Sequence, residues 1–352
     1  MKLQRFSSFF KGLSLTLCCV LLTVCSQESR SGAEQGVRFC LGVLTPSLFP
    51  FMALTNLLVK TGLCQAAGRR FGKWGSRLFR LSGALTPVLL LSLLGGYPVG
   101  AGGIAALRRQ GMIEEEEARR AALFMVCAGP GFVLNYVGAA VYGSQAVGGI
   151  LFAAQVIAVL LTGIGARFLA PREIVISKKE NKVTVLPFSQ ALVESVTAAA
   201  HGMLSICAFV VLFSAVLGML TPMVRGETAR AAVYVLLEVC GAVDHCAVSQ
   251  PVAVVAFAVG FGGLCVHCQI FAALGELGVS KGLFFLFRIT QGLLTMGLAC
   301  LGLRLLPQKA AVFCTAPTGS PALVGGSLLS GTVLLGVVIS FFIAAKQIKT
   351  ES

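Results

Sequence analysis

Residues 81–107 read LSGALTPVLLLSLLGGYPVGAGGIAAL, an apolar stretch long enough to cross a membrane as a helix. Glycine and proline interrupt it at the centre, in GGYPVGAGG (95–103). Such a break frees backbone amides and carbonyls, which is tolerated at membrane depth only where the backbone is buried or lines a cavity. The amino terminus of the next helix can then bind an anion. We predict substrate-binding residues Gly96, Tyr97, Pro98 and Gly100; the alternative is a kinked helix with glycine for close packing.

The composition predicts an all-α, polytopic membrane protein. Of 352 residues, 56% are hydrophobic and 12% are charged, whereas a soluble domain carries about 25% charged residues. The net charge of +14 comes mainly from loops between apolar segments, and no basic stripe interleaved with aromatic residues indicates nucleic-acid binding. Most of the thirteen cysteines stand alone in apolar segments, so no disulfide framework is expected.

The apolar segments divide the chain into five parts. We predict a membrane anchor or signal segment, a first membrane repeat, a cytoplasmic linker, a second membrane repeat, and a carboxy-terminal transmembrane helix with its tail. Their respective boundaries are 1–32, 33–170, 171–187, 188–305 and 306–352. An uncleaved anchor is favoured for the first part because no clear A-x-A cleavage site follows it. Pro46 and Pro50 interrupt the next apolar segment, 33–62.

The distribution of basic residues predicts how the segments cross. All basic clusters lie on the cytoplasmic side only if 81–107 and 229–249 enter the membrane and return at their breaks. Both halves then run in the same order, with a long segment, a short interrupted segment and two spans, but start from opposite sides. This order predicts two inverted-repeat halves with broken or re-entrant helices, as in many secondary transporters.

Two further glycine-rich breaks supply candidate substrate-binding residues. CAGPGF (127–132) contributes Gly129 and Pro130, with Asn135 just beyond. GFGGLCVHCQ (260–269) contributes four more candidates, namely Gly262, Gly263, His267 and Gln269. The break at 127–132 has the alternative of a packing kink.

The cysteines of the last break also admit a metal or redox interpretation. Cys265 and Cys268 have the C-x-x-C spacing, and the nearest further ligands would be Cys240, His245 and Cys246. A polar cavity wall is favoured over this interpretation. We expect no metal and no cofactor.

Ionisable residues in apolar segments are expensive in lipid and usually face a cavity or a partner. They are Glu194, His201, Glu238, Asp244, His267 and Arg288. Glu238 is the candidate for ion coupling, and a salt bridge with Arg288 is the alternative. No hydrolase or nucleotide-binding motif is present, so we expect no enzyme, and transport driven by ATP would need a separate subunit.

Four stretches together resemble the family of sporulation integral membrane protein YlbJ. They are TPSLFPFMALTNLLVKTG (45–62), GGYPVGAGGIAALRRQGMIEEEEARR (95–120), AGPGFVLNYVGAAVYGSQAVG (128–148) and GFGGLCVHCQIFAAL (260–274). The resemblance implies two nucleoside-recognition, or Gate, domains, which make both repeats Gate-like. It carries the glycine breaks, Glu238, His267 and Gln269 over by position. Cys127, Cys240 and Cys265 depart from the polar residues of the family pattern, which puts the substrate in doubt.

The resemblance implies a role in endospore formation and similarity to a transporter of dipicolinic acid in the outer forespore membrane. The sequence therefore predicts a multi-pass transporter of a small organic anion, with coupling to protons or another cation. A nucleoside transporter and a non-transporting scaffold for cortex assembly are the alternatives. Besides the solute and the lipid bilayer, a homo-oligomer is left open as a partner, and nucleic acid is not expected.

Overall fold

The computed structural model describes residues 16, 20, 22–170 and 186–305, and these form helices with no β-strand. The α-helices are α1 (Ser26–Phe39), α2 (Thr45–Lys60), α3 (Leu63–Phe79), α4 (Leu85–Gly95), α5 (Tyr97–Arg109), α6 (Glu115–Ala122), α7 (Gln145–Arg167), α8 (Phe188–Leu220), α9 (Glu227–Leu237), α10 (Val239–Ser249), α11 (Val252–Phe261), α12 (Gly263–Leu274) and α13 (Lys281–Leu305). Two π-helical segments, π1 (Cys40–Leu44) and π2 (Gly131–Val141), and a 3₁₀ turn, Thr221–Met223, complete the described elements.

Five described helical segments are long and apolar enough to cross a membrane. They are Ser26–Lys60, Gln145–Arg167, Phe188–Met223, Val252–Leu274 and Lys281–Leu305. Shorter apolar helices, α4, π2 and α10, lie between them. This confirms the predicted all-α, polytopic membrane fold. The anchor predicted before residue 22, most of the linker (171–185) and the predicted span after residue 305 lie outside the described residues.

The first long segment is one continuous helical run from Ser26 to Lys60. The predicted boundary at 32/33 falls inside it. Pro46 is the second residue of α2 and Pro50 lies inside that helix, so each removes a backbone N–H from the continuous run. The run changes pitch in π1 just before Pro46, which absorbs the irregularity without ending the helix.

Glycines bring the first long helix against α8. A Cβ atom on Gly32 would meet the backbone carbonyl of Ser214, and one on Gly36 would lie 2.9 Å from the Val211 Cα. Near the other end of the pair, Lys60 forms an ion pair with Glu194 at 2.5 Å. The two long helices therefore pack along their length, and Glu194 is paired with a cation rather than facing a central cavity.

The segment 81–107 folds back on itself at Gly96. A Cβ atom on Gly100 would lie 2.6 Å from the Ser92 Oγ, and one on Gly103 would lie 2.7 Å from the Val88 Cγ1. As the chain advances along α5, its neighbours step backwards along α4, so the pair is an antiparallel hairpin. This is the geometry that re-entry requires.

The segment 229–249 folds back in the same way, at Glu238. The Tyr234 ring on α9 stacks on the His245 ring on α10 with centroids 4.5 Å apart. At the base of this hairpin, Glu227 Oε1 lies 3.0 Å from His245 Nε2. The third break behaves differently, because α11 and α12 follow one another as a single interrupted span.

The described elements thus occur in matching order in the two halves. In each half, a long helical run precedes an antiparallel hairpin, an irregular or interrupted segment and a straight span. The inverted relation between the halves stays a prediction.

Candidate functional site at the helix breaks

The two breaks of the first half touch each other. Gly96 has φ +86°, a conformation that residues with a Cβ rarely adopt. A Cβ atom on Gly129 would lie 3.2 Å from the Gly96 nitrogen, and one on Gly96 would lie 3.3 Å from the Leu48 side chain. The close backbone approach explains why both positions are glycine, since any side chain would push the breaks apart.

Glu238 caps the returning helix of the second half. Its carboxylate accepts hydrogen bonds from the Cys240 nitrogen at 3.0 Å and the Gly241 nitrogen at 2.6 Å, the amides that α10 leaves free at its start. Gly263, with φ +73°, lies beside this cap, since its Cβ would be 3.2 Å from the Glu238 nitrogen. The two breaks of the second half therefore also meet.

Tyr97 joins the two pairs of breaks. Its hydroxyl donates to the Val259 carbonyl on α11, and its ring lies beside Gly262, whose Cβ would be 3.4 Å from the Tyr97 Cε1. The Arg288 guanidinium lies 5.8 Å from the centre of the Tyr97 ring. The aromatic side chain thus stands between the halves, with a buried cation near it.

Arg288, on α13, is completely buried and holds backbone rather than a carboxylate. Its Nε donates to the Phe261 carbonyl at 3.2 Å and its Nη2 to the Gly260 carbonyl, the acceptors freed where α11 ends. Its Nη1 donates to the Val126 carbonyl in the first half and to the Gln291 side chain, each at 2.7 Å. The alternative of a Glu238–Arg288 salt bridge was therefore wrong.

A small cavity of about 30 Å³ lies where the breaks meet. Six predicted residues line it, namely Gly96, Tyr97, Pro98, Gly129, Glu238 and Gln269. The rest of its wall is largely apolar, with Leu48, Phe132 and Val210 among the lining residues. A cavity of this size holds one or two water molecules. The structure thus brings these six residues to one small cavity, and their role in binding a solute stays a prediction.

The other predicted residues support the breaks or lie apart from the cavity. Gly100 packs inside the first hairpin, against Ser92 and the Met125 carbonyl. Gly131, next to Pro130, lies against Ser47, while the Asn135 side chain is exposed.

His267 does not line the cavity. It is 1% exposed, and its Nε2 lies 2.9 Å from the Phe261 carbonyl. The rings of Phe261, Phe284 and Phe285 stand edge-on around it, with centroids 4.8 to 5.3 Å away. The structure therefore gives it the same task as Arg288, holding the free end of α11.

The C-x-x-C cysteines are free thiols in the structure. The Gln269 Nε2 lies 3.3 Å from the Cys265 sulfur. Within 22–170 and 186–305, no group of three or more His, Cys, Asp or Glu residues is placed to hold a metal ion. The further ligand considered, His245, pairs with Glu227 instead.

A larger cavity, of about 280 Å³, was missed from the sequence. It lies between α1, the end of α8 and the second hairpin, with Ser31, Gln35, Ser214 and Tyr234 in its wall. Gly241 also lines this larger cavity. Its backbone nitrogen donates a hydrogen bond to Glu238, which lines the small cavity. The polar Ser31 and Gln35 were the available signal, but they lie on either side of the predicted boundary at 32/33.

One further hydrogen bond joins the two halves of the chain. The Tyr136 hydroxyl on π2 donates to the Asp244 carboxylate on α10. Asp244 was singled out from the sequence as an ionisable residue in an apolar segment, but nothing in the spacing paired it with Tyr136.

Together the spans, the two fold-back hairpins and the converging breaks define a polytopic α-helical membrane protein with a buried central site. The chain is similar to the sporulation integral membrane protein YlbJ of Bacillus subtilis (strain 168), with 24% identity over 307 residues that cover 76% of this chain and 75% of that protein. This match supports a relationship to the YlbJ family. No family model and no solved structure matches the chain.

Proposed function

We propose that this protein transports a small organic anion across a membrane during endospore formation, and that dipicolinic acid is the solute. The observation that carries the proposal is the convergence of three breaks, at Gly96, Gly129 and Glu238, on one cavity between the halves. The fourth break, Gly262–Gly263, contacts two residues of its wall, Tyr97 and Glu238. Interrupted helices that meet near the membrane midplane are the usual construction of a transporter site. The sporulation setting rests on the similarity to YlbJ.

The charges around the cavity favour an anion. Helix α5 begins at the cavity with Tyr97 and Pro98, so the positive end of its dipole points there. Arg288 adds a full positive charge behind the Tyr97 ring, and none of the ion pairs in the described part of the chain neutralises it. A carboxylate that displaced the Tyr97 ring would meet this cation.

Glu238 supplies the coupling that such a solute needs. Glu238 is one of the residues that line the same cavity, and two negative charges in one low-dielectric site repel strongly. The site therefore favours an anion together with a proton or another cation. Because the chain carries no nucleotide-binding motif, the proposal takes an ion gradient rather than ATP as the energy source.

The two cavities outline a transport cycle. Pockets for small molecules have volumes of about 300–1,000 Å³, so the 30 Å³ cavity is a shut state that must widen. The 280 Å³ cavity ends at Gly241, next to the Glu238 cap, and is the proposed vestibule on one side. We propose the outer forespore membrane as the location and no enzymatic activity. The proposed partners are the solute, an ion and lipid, and a homo-oligomer stays open.

Uptake of labelled dipicolinate into vesicles containing the purified full chain tests the proposal. Glu238→Gln and Pro98→Ala should each lower the initial uptake rate at least tenfold, while Gly102→Ala, on the same helix as Pro98 but facing open space, should keep it. Wild-type uptake no greater than that of empty vesicles would overturn the choice of solute. Equal rates in all four proteins would overturn the site.

The alternatives give different results. A nucleoside transporter would show uptake of labelled nucleosides and inhibition by them. A scaffold would transport neither solute, and a gene deletion would disturb spore assembly in a way that the Glu238→Gln and Pro98→Ala proteins restore. Loss of spore dipicolinate on deletion, with no restoration by these two variants, is the result expected for the transporter.

A further inference from the structure

Helix α3 connects a membrane-length helical run to the first hairpin. It begins after a tight turn at Gly62 (φ +76°), two residues beyond the end of the 35-residue run Ser26–Lys60 that is long enough to span a bilayer. It ends at Arg80, in the left-handed conformation with φ +51°, just before the first re-entrant hairpin starts. A helix joined in this way to one span and one hairpin lies where both leave the membrane.

One face of α3 is fixed against the hairpin. A Cβ atom on Gly72 would lie 2.6 Å from the Gly83 Cα, and one on Gly75 would meet the Thr86 hydroxyl. The buried Phe79 ring packs on the Phe124 ring, with centroids 5.3 Å apart. These contacts fix the rotation of α3 about its own axis.

The opposite face carries an exposed basic stripe, formed by Arg70, Lys73, Trp74 and Arg77. No basic stripe with interleaved aromatic residues was found from the sequence, so this one was missed. The spacing i, i+3, i+4, i+7 places all four on one side of the helix. Each is exposed, and Trp74 retains 70% of its accessible surface. Among the described residues, no acidic side chain forms an ion pair with the three cations.

We propose that the basic stripe binds the headgroups of anionic phospholipids in the membrane that surrounds the protein. Three unpaired cations match negative headgroups, and an exposed tryptophan beside them suits the boundary between headgroups and acyl chains. The contacts of Gly72 and Gly75 turn the stripe away from the protein body, so bound lipids would hold α3, and with it the start of the first hairpin, at a set depth. This inference stands independently of the transported solute.

Trp74 is the only tryptophan of the chain, so its fluorescence reports on this surface alone. The full-length protein would be reconstituted in mixtures of phosphatidylcholine and phosphatidylglycerol in which only one of the two lipids carries brominated, quenching acyl chains. Brominated phosphatidylglycerol should quench Trp74 more than brominated phosphatidylcholine at the same mole fraction. The preference should fall about fivefold for each basic residue of the stripe changed to Gln, and high salt should weaken it.

Two variants separate charge from folding. Arg70→Lys with Arg77→Lys keeps the charge and should keep the preference, while Arg109→Gln removes an exposed cation at the end of α5 and should also keep it. Equal quenching by both lipids would overturn the proposal, as would an unchanged preference in the triple Gln variant. A stripe that serves a protein or nucleic-acid partner instead would give those same two results.

Discussion

The Nη1 atom of Arg288 donates a hydrogen bond of 2.7 Å to the carbonyl oxygen of Val126, which links the last span of the second half to the irregular backbone that precedes Gly129. The same guanidinium also serves the carbonyls of Gly260 and Phe261. One side chain therefore satisfies acceptors from broken helices in both halves. Its charge stabilises the breaks rather than a carboxylate.

Arg288→Gln should destabilise the protein by at least about 1–3 kcal/mol, the cost of leaving a buried hydrogen-bonding group without its partner, because it leaves the carbonyls of Val126, Gly260 and Phe261 without this donor. The stability of Arg288→Lys should lie between those of Arg288→Gln and the wild type. A single ammonium group cannot reach all the carbonyls that the planar guanidinium contacts. Denaturant titration of the purified protein in detergent measures the loss. Arg109→Gln is the exposed control, and an equal effect of both Gln variants would contradict the role of Arg288.

Gly100→Ala should destabilise the first hairpin by about 1–3 kcal/mol, the range for overpacking a filled interior. Its Cβ would meet the Met125 carbonyl and lie 2.6 Å from the Ser92 Oγ. Gly102, on the same helix, has nothing within 4 Å of its Cβ position. Gly102→Ala should be neutral or slightly stabilising because alanine favours helix, so equal unfolding curves for the two alanine variants would show that Gly100 is not a packing contact.

The architecture could be predicted because it follows from local rules. The apolar length of a segment decides whether it crosses the membrane. Placing every basic cluster on one side required that 81–107 and 229–249 turn back, and in the structure they turn at Gly96 and Glu238. Glycine and proline mark a break wherever they interrupt such a segment. None of these signals depends on a distant contact.

The contacts between the breaks could not be predicted in the same way. A glycine shows that backbone approaches closely, but not which backbone, so the meetings of Gly96 with Gly129 and of Gly263 with Glu238 required the tertiary structure. His267 was predicted to bind the substrate because it is a polar residue beside a helix break. In the structure it lies against the Phe261 carbonyl, which that same break leaves without a helical partner. A polar residue near a break can serve either the solute or the backbone, and the sequence does not distinguish these uses.

Glu238→Ala should cost about 1–2 kcal/mol, since it removes both acceptors that cap α10. Glu238→Gln keeps one side-chain oxygen and should cost less than half as much, so its transport defect can be attributed to the lost charge. Ser144→Ala, which removes the cap of α7 far from the breaks, gives the cost of ordinary capping in the same protein. Equal losses in Glu238→Ala and Glu238→Gln would contradict the capping role.

Tyr136→Phe and Asp244→Asn should each destabilise the contact between the halves, because the first removes the hydroxyl that donates to the Asp244 carboxylate and the second weakens the acceptor. Each single change should cost about 1–3 kcal/mol. The double variant should be less destabilised than the sum, with an interaction energy of at least about 0.5 kcal/mol in the cycle. Simple additivity would show that the hydrogen bond does not join the halves energetically.

Glu117 should make stability depend on pH. It lies on α6, outside the spanning helices, where burial raises the pKa of its carboxyl above the ordinary value of 4.5, although the Ser82 backbone N–H, which donates to it, acts in the opposite direction. A carboxyl whose pKa is higher in the folded state binds its proton more tightly there, so the free energy of unfolding should fall as the pH rises from about 4.5 through the raised pKa. Glu117→Gln should flatten this part of the curve, whereas Glu116→Gln, an exposed neighbour on the same helix, should leave it in place. Unfolding measured at a series of pH values decides the matter, and parallel curves for wild type and Glu117→Gln would rule out Glu117 as the source.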